Sequence, residues 1–67
     1  MEEDALKTIL GVAYTNGEKS RPYVDEASHE ETAERYAVNQ QELLKLTKEE
    51  RFQVKHAWVM GWMGVTE

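Results

Sequence analysis

Cysteine is absent from this 67-residue chain. That removes disulfides, thiolate metal sites and cysteine nucleophiles together. One proline, Pro22, and four glycines leave few obligatory breaks, so long helices are permitted. No apolar run approaches the ~20 residues that a bilayer span needs; the longest, residues 57–65, counts two glycines. Basic side chains are in deficit, 8 against 13 acidic, for a net charge of −5. An acidic body repels nucleic acid and anionic lipid. The opening MEEDALK is acidic where a secretory signal is basic. These absences predict a cytoplasmic protein that associates with no membrane.

A chain this short forms one domain, expected over residues 1–67. It buries only about 60% of the surface its unfolded form exposes, and its core supplies roughly 3–5 kcal/mol. The charge is uneven. Residues 1–44 hold 4 basic and 10 acidic side chains, whereas residues 45–67 hold 4 basic and 3 acidic. Both tryptophans and two of the three methionines fall in HAWVMGWMGV, residues 56–65.

Three stretches have helical periodicity. Over residues 2–14, Ala5, Leu6, Ile9, Leu10, Val12 and Ala13 fill one arc of about 160°. Glu2, Glu3 and Asp4 sit where the helix dipole favours negative charge, and Gly17 suits a left-handed cap. A hairpin competes over residues 8–24, with Asn16-Gly17 as a type I′ turn. A lone hairpin is marginal in water, which favours the helix. Residues 15–27 then read as a loop. Ser28-x-x-Glu31 is a capping box opening a second helix, whose Ala33, Tyr36, Ala37, Gln40, Leu43 and Leu44 share a face. A further box, Asn39-x-x-Glu42, allows a break near Val38. Thr47-x-x-Glu50 opens a third helix over 48–63, with Val54, Trp58 and Trp62 in line. A helix apolar nearly all round is expected to be buried. The predicted fold is thus all-α, a compact bundle of three helices, or four if the middle one breaks.

Few motifs carry chemistry. His29 and His56 stand alone, so neither a metal nor a cofactor is expected, and His29 should be solvated in its helix's first turn. No nucleophile–base pair, phosphate loop or convergent carboxylate pair is visible, and a ligand pocket of about 300–1,000 Å³ is hard to fit here. No catalytic residue is assigned. Residues 31–46 match helix-turn-helix spacing, with Ala33 at the helix contact, Ala37 at the turn and Val38, Leu43 and Leu46 buried. The reading helix would offer Gln to adenine, yet Lys45 is its sole cation and Glu31, Glu34 and Glu42 would face phosphate. Lys48, Arg51, Lys55, Trp58 and Trp62 share an arc that would suit stacked single strands; the favoured reading is a core with the cations laid over it and the tryptophans pointing inward.

Gly11-x-Ala13, Gly17, Arg21-Pro22-Tyr23 and Trp58-x-x-Gly61-Trp62 together resemble the short ribosome modulation factor type. The resemblance implies two helices clasped through Gly11, Ala13, Ala57 and Gly61, and a ribosome-associated role. The chain departs from that type in being acidic, in lacking a cysteine before Pro-Tyr and in the longer stretch before the tryptophan helix.

The function expected from these residues is that of a small acidic adaptor or inhibitor, of the kind phages and other mobile elements encode. Its expected partner is a protein, such as a nucleic-acid-binding one with a basic surface. Candidate contact residues are Asp25, Glu26, Glu30, Glu31 and Glu34 on an acidic face, and Trp58, Met60, Trp62 and Met63 on a tryptophan–methionine surface. Self-association through the latter is the simpler alternative. A helix-turn-helix regulator and a ribosome-associated modulator are the other two readings.

Overall fold

The computed structural model describes residues 2–64. Met1 and residues 65–67, with the Val65 end of the apolar run, lie outside the described residues. Three helices follow in order: α1 (Glu3–Ser20), α2 (His29–Leu44) and α3 (Lys48–Met63). No strand occurs among the described residues, so the all-α, three-helix expectation holds. α3 is central: α1 and α2 both pack along it and hardly touch each other. The C-terminal ends of α1 and α3 lie together, because Arg21 Nη1 donates to the Trp62 carbonyl at 2.9 Å. α2 runs back along α3, with His29 against Trp62 at one end and Gln41 near Arg51 towards the other.

α1 runs on through Asn16-Gly17, six residues beyond the expected end at Tyr14. This excludes the hairpin over 8–24 and the Gly17 cap, and shortens the expected 15–27 loop to residues 21–28. The reason lies in α3. A Cβ on Gly17 would stand 2.0 Å from the Trp58 carbonyl oxygen, and one on Gly61 would stand 2.0 Å from that of Tyr14. The two backbones therefore touch at both glycines. Asn16 adds to this by accepting from Trp58 Nε1 at 3.1 Å. A turn at Asn16-Gly17 would undo all three contacts, so tertiary packing overrides the local turn preference. The small-residue clasp is real but shifted. Ala13 and Gly61 are buried and Ala57 is half-buried, whereas Gly11 is exposed and Gly17 occupies the contact instead.

α2 begins without its expected capping box. Ser28 has φ −111° and ψ −9°, and its side chain caps nothing. Instead the Asp25 carboxylate accepts from the Ser28 N–H at 3.0 Å, and Glu31 bonds Arg35 one turn on at 3.1 Å. The helix continues unbroken through Val38 and Asn39, so the described residues hold three helices and not four. Nor is there a helix-turn-helix at 31–46, because Ala37 lies mid-helix rather than in a turn. Ala33 and Ala37 are fully buried, which brings α2 close to α3. Leu43, expected inside, is 68% exposed, and Leu44 is exposed as well. α2 ends at Lys45 in the left-handed region, φ 55°.

α3 matches its expected bounds. Thr47 Oγ1 accepts from the Glu50 N–H at 3.1 Å, and the Thr47 N–H donates to Glu50 Oε1 at 2.8 Å, closing the box. At the other end Gly64 adopts φ 76°, the usual left-handed terminator. The core comprises Ala13, Ala33, Ala37, Leu46, Val54 and Trp58. It is one-sided. The principal extents are 32 × 23 × 15 Å, and helix axes pack about 8–10 Å apart. The thin dimension leaves no room for helices all round α3. Phe52 is 53% and Met63 54% exposed, so α3 is buried on one side and open on its outer face. The exposure of Met63 agrees with its place among the expected contact residues, whereas that of Phe52 was not expected.

Candidate functional site

Three surfaces follow from this arrangement. The first is a groove between α1 and α3, on the side of α3 away from α2. Lys7, Leu10, Gly11 and Tyr14 form one wall, Glu49, Phe52, Gln53, His56, Ala57 and Met60 the other, around a volume of about 1130 Å³. It exists because the contacts at Gly17 and Gly61 draw the helices together near their C-terminal ends, while larger side chains hold the walls at Leu10 and Phe52. It is wider than the sequence led one to expect, and it is open to solvent rather than enclosed.

The second surface is the outer face of α2. Glu30, Glu31 and Glu34 line a shallow depression of about 580 Å³ with Arg35, Val38, Asn39, Glu42 and Lys55. Glu34 is drawn inward here, 3.2 Å from Lys55 Nζ and 3.9 Å from Arg51 Nε. This settles what the basic residues of α3 do. Arg51 and Lys55 lie over α2's carboxylate, and Trp58 points into the core, so the expected stripe of Lys48, Arg51, Lys55, Trp58 and Trp62 is not presented as a unit. The exposed ring beside Arg51 is Phe52, 5.4 Å from its guanidinium. Asp25 and Glu26 are exposed in the preceding loop, where Asp25 is engaged by Ser28.

The third is the end of the bundle around Trp62. His29 stacks on this indole with centroids 4.3 Å apart and planes 3° from parallel. The indole N–H donates to the Val24 carbonyl at 2.8 Å. His29 Nδ1 lies 2.7 Å from the Glu26 carbonyl oxygen. The histidine is thus part-buried and ordered by packing, not solvated as its position in a first turn suggested. Arg21 supplies a cation above the same ring, 5.9 Å from its centroid. It also occupies a free carbonyl at the α3 C-terminus, where positive charge is favoured. Tyr23 in the adjoining loop is 86% exposed.

The expected tryptophan–methionine surface is therefore dispersed. Trp58 is 1% exposed and belongs to the core, so, contrary to expectation, it offers a partner no surface. Trp62 is part-buried beneath His29, Met63 is exposed, and Met60 lies in the groove wall. Leu10, Gly11, Phe52 and His56 were missed as site residues. Two signals were available: Met60 falls off the tryptophan strip, and Gly11 sits mid-helix with no cap to make. Among ionisable groups, burial pushes the Tyr36 phenol above the ordinary tyrosine range. The Thr47 backbone N–H holds the Glu50 carboxyl below the ordinary glutamate range. Neither faces the groove. Among the described residues no three His, Asp or Glu side chains converge as metal ligands, and no helix is long and apolar enough to cross a membrane.

Compared with known proteins, the chain matches no family model, no curated sequence and no solved structure.

Proposed function

We propose that this chain is a small acidic adaptor or inhibitor, a non-enzymatic module that acts by binding one protein partner. The open α1–α3 groove is the observation that supports this reading. Burying one Phe or Met side chain fully is worth about 1.5–3 kcal/mol, comparable to the whole stability of so short a chain. A fold of this size that leaves Phe52 half wet, with Leu10 and Met60 in an open wall, forgoes a large share of its available stabilisation. Exposed apolar grooves with polar rims are where partners bind. The acidic loop and α2 face, with Asp25, Glu26, Glu30 and Glu31, add a field that attracts a basic protein and repels nucleic acid.

The test is site-directed photocrosslinking in the native host, with p-benzoylphenylalanine replacing Phe52 in the groove or Glu30 on α2. One discrete adduct from position 52, competed by unlabelled protein and reproduced with the purified partner, is expected. No adduct from either position would overturn the reading. The clasp at Gly17 and Gly61, together with the resemblance of the sequence, supports a second reading of ribosome association. Failure to co-sediment with ribosomal particles would remove it.

A further inference from the structure

Resting on the partner-binding reading, we infer that the α1–α3 groove receives a basic amphipathic helix of a protein partner, laid along α1 with its backbone nearest Gly11. α1 and α3 contain three glycines. Two are explained internally, since a Cβ on Gly17 or Gly61 would strike backbone of the facing helix at 2.0 Å. At Gly11 a Cβ would meet nothing within 4 Å. Glycine inside a helix is costly relative to alanine, and the fold itself gives no reason to bear that cost here. A partner's backbone approaching the groove wall does.

The shape fits a helix. From Glu49 to Met60 is about 16 Å at 1.5 Å per residue, room for three turns. Leu10, Phe52 and Met60 give it apolar walls. Anchors at i, i+3, i+4 and i+7 read such a groove. An added strand has no sheet edge to extend among the described residues.

The charge decides whose helix it is. Asp4, Lys7, Gly11, Tyr14 and Glu18 recur at helical spacing along one stripe of α1. Glu49 stands on the opposite wall. The walls themselves carry one carboxylate, Glu49, and one ammonium, Lys7. Asp4 and Glu18 at the two ends of the α1 stripe, on a body of net charge −5, favour lysine or arginine towards the ends of the occupant. A second copy of this chain fits badly. Antiparallel pairing of two α1 helices about Gly11 sets Asp4 of each against Glu18 of the other, like against like at both ends. Anionic membrane and nucleic acid are disfavoured by the same carboxylates.

The probe is a synthetic 15-residue amphipathic helix with a leucine stripe and lysines elsewhere. It is compared with a version carrying glutamate for lysine and with a scramble that abolishes the stripe. Amide shifts of the labelled protein report site and affinity. The lysine peptide should saturate, with shifts confined to residues 7–14 and 49–60, and both controls should bind at least about tenfold more weakly. Gly11→Leu should weaken the lysine peptide by at least about tenfold while its urea midpoint stays at or above wild type, since a Cβ there meets nothing within 4 Å and leucine favours the helix over glycine. Equal binding of the three peptides, shifts centred on α2, or Gly11→Leu binding within about twofold of wild type would each overturn the inference. So would a monomer–dimer equilibrium that Gly11→Leu abolishes, which would make a second copy the occupant. A position-52 adduct without binding of the lysine peptide leaves the partner reading intact and removes only the basic helix. Absence of any adduct removes the partner reading itself.

Discussion

Gly17→Ala, Gly61→Ala and Gly11→Ala add the same methyl to the same helix pair, with opposite expected signs. Ordinary contact for a Cβ is 3.4–4 Å, but at Gly17 the new methyl would lie 2.0 Å from the Trp58 carbonyl oxygen. The helices must therefore part locally by roughly 1.4 Å, the gap between 3.4 and 2.0 Å. The obstacle is backbone at both sites, so no side chain can swing aside. A gap of about 0.5–1 Å already forfeits a quarter to a half of the dispersion well of each facing pair. Overpacking of this kind costs up to about 3 kcal/mol, and the helical preference for alanine returns about 1 kcal/mol. A net loss of about 2 kcal/mol is expected at either glycine, against roughly 3–5 kcal/mol in total. At Gly11 only the helical gain operates, so that variant should be more stable by about 0.8–1 kcal/mol. In a domain of this size 1 kcal/mol moves Tm by about 4–8 °C, so the two groups separate clearly. Urea titrations followed by far-UV circular dichroism and by tryptophan fluorescence give the midpoints. A Gly17→Ala protein as stable as wild type would refute the backbone contact, and a destabilised Gly11→Ala would refute the open wall.

What the sequence disclosed and what it hid divide along the range of the interactions concerned. α3 was legible because its start is decided within four residues: Thr47 is extended at φ −72° and ψ 167°, which aims its hydroxyl at the Glu50 N–H. Ser28-x-x-Glu31 spells the same motif and does not close, because Ser28 sits near ψ −9° and its amide is taken by Asp25. Residue identities do not carry that torsion; the loop geometry leading into α2 does. The length of α1 was hidden for a different reason. Asn16-Gly17 is a turn signal locally, and only α3 makes it a contact surface. The groove was hidden because a helix apolar on most sides reads as buried until the number of layers around it is known. Likewise His29 read as solvent-facing because its stacking partner, Trp62, is on another helix.

The remaining expectations address the core, a turn and the response to acid. Trp58→Ala should cost about 3–5 kcal/mol and leave the chain largely unfolded, whereas Trp62→Ala should keep a cooperative urea transition. In Trp62→Phe the remaining indole should emit at short wavelength and resist acrylamide; full quenching would place Trp58 outside the core. Lys45→Gly should stabilise by about 1 kcal/mol, because a left-handed backbone at φ 55° strains a residue with a Cβ; an unchanged urea midpoint would count against that strain. Glu50 should make the first turn of α3 sensitive to acid. Its carboxylate accepts from the Thr47 backbone N–H at 2.8 Å, and this bond holds its carboxyl below the ordinary glutamate range. A carboxyl with a folded value below its unfolded one adds stability that is complete above the ordinary range and is lost as pH falls through the folded value. Acidification across that window should therefore lower the wild-type urea midpoint more than that of Glu50→Gln, whose amide has no proton to gain there. Every other carboxylate is common to the two proteins and contributes equally to both slopes, so parallel slopes would show that the capping bond to Thr47 does not discriminate the charged form.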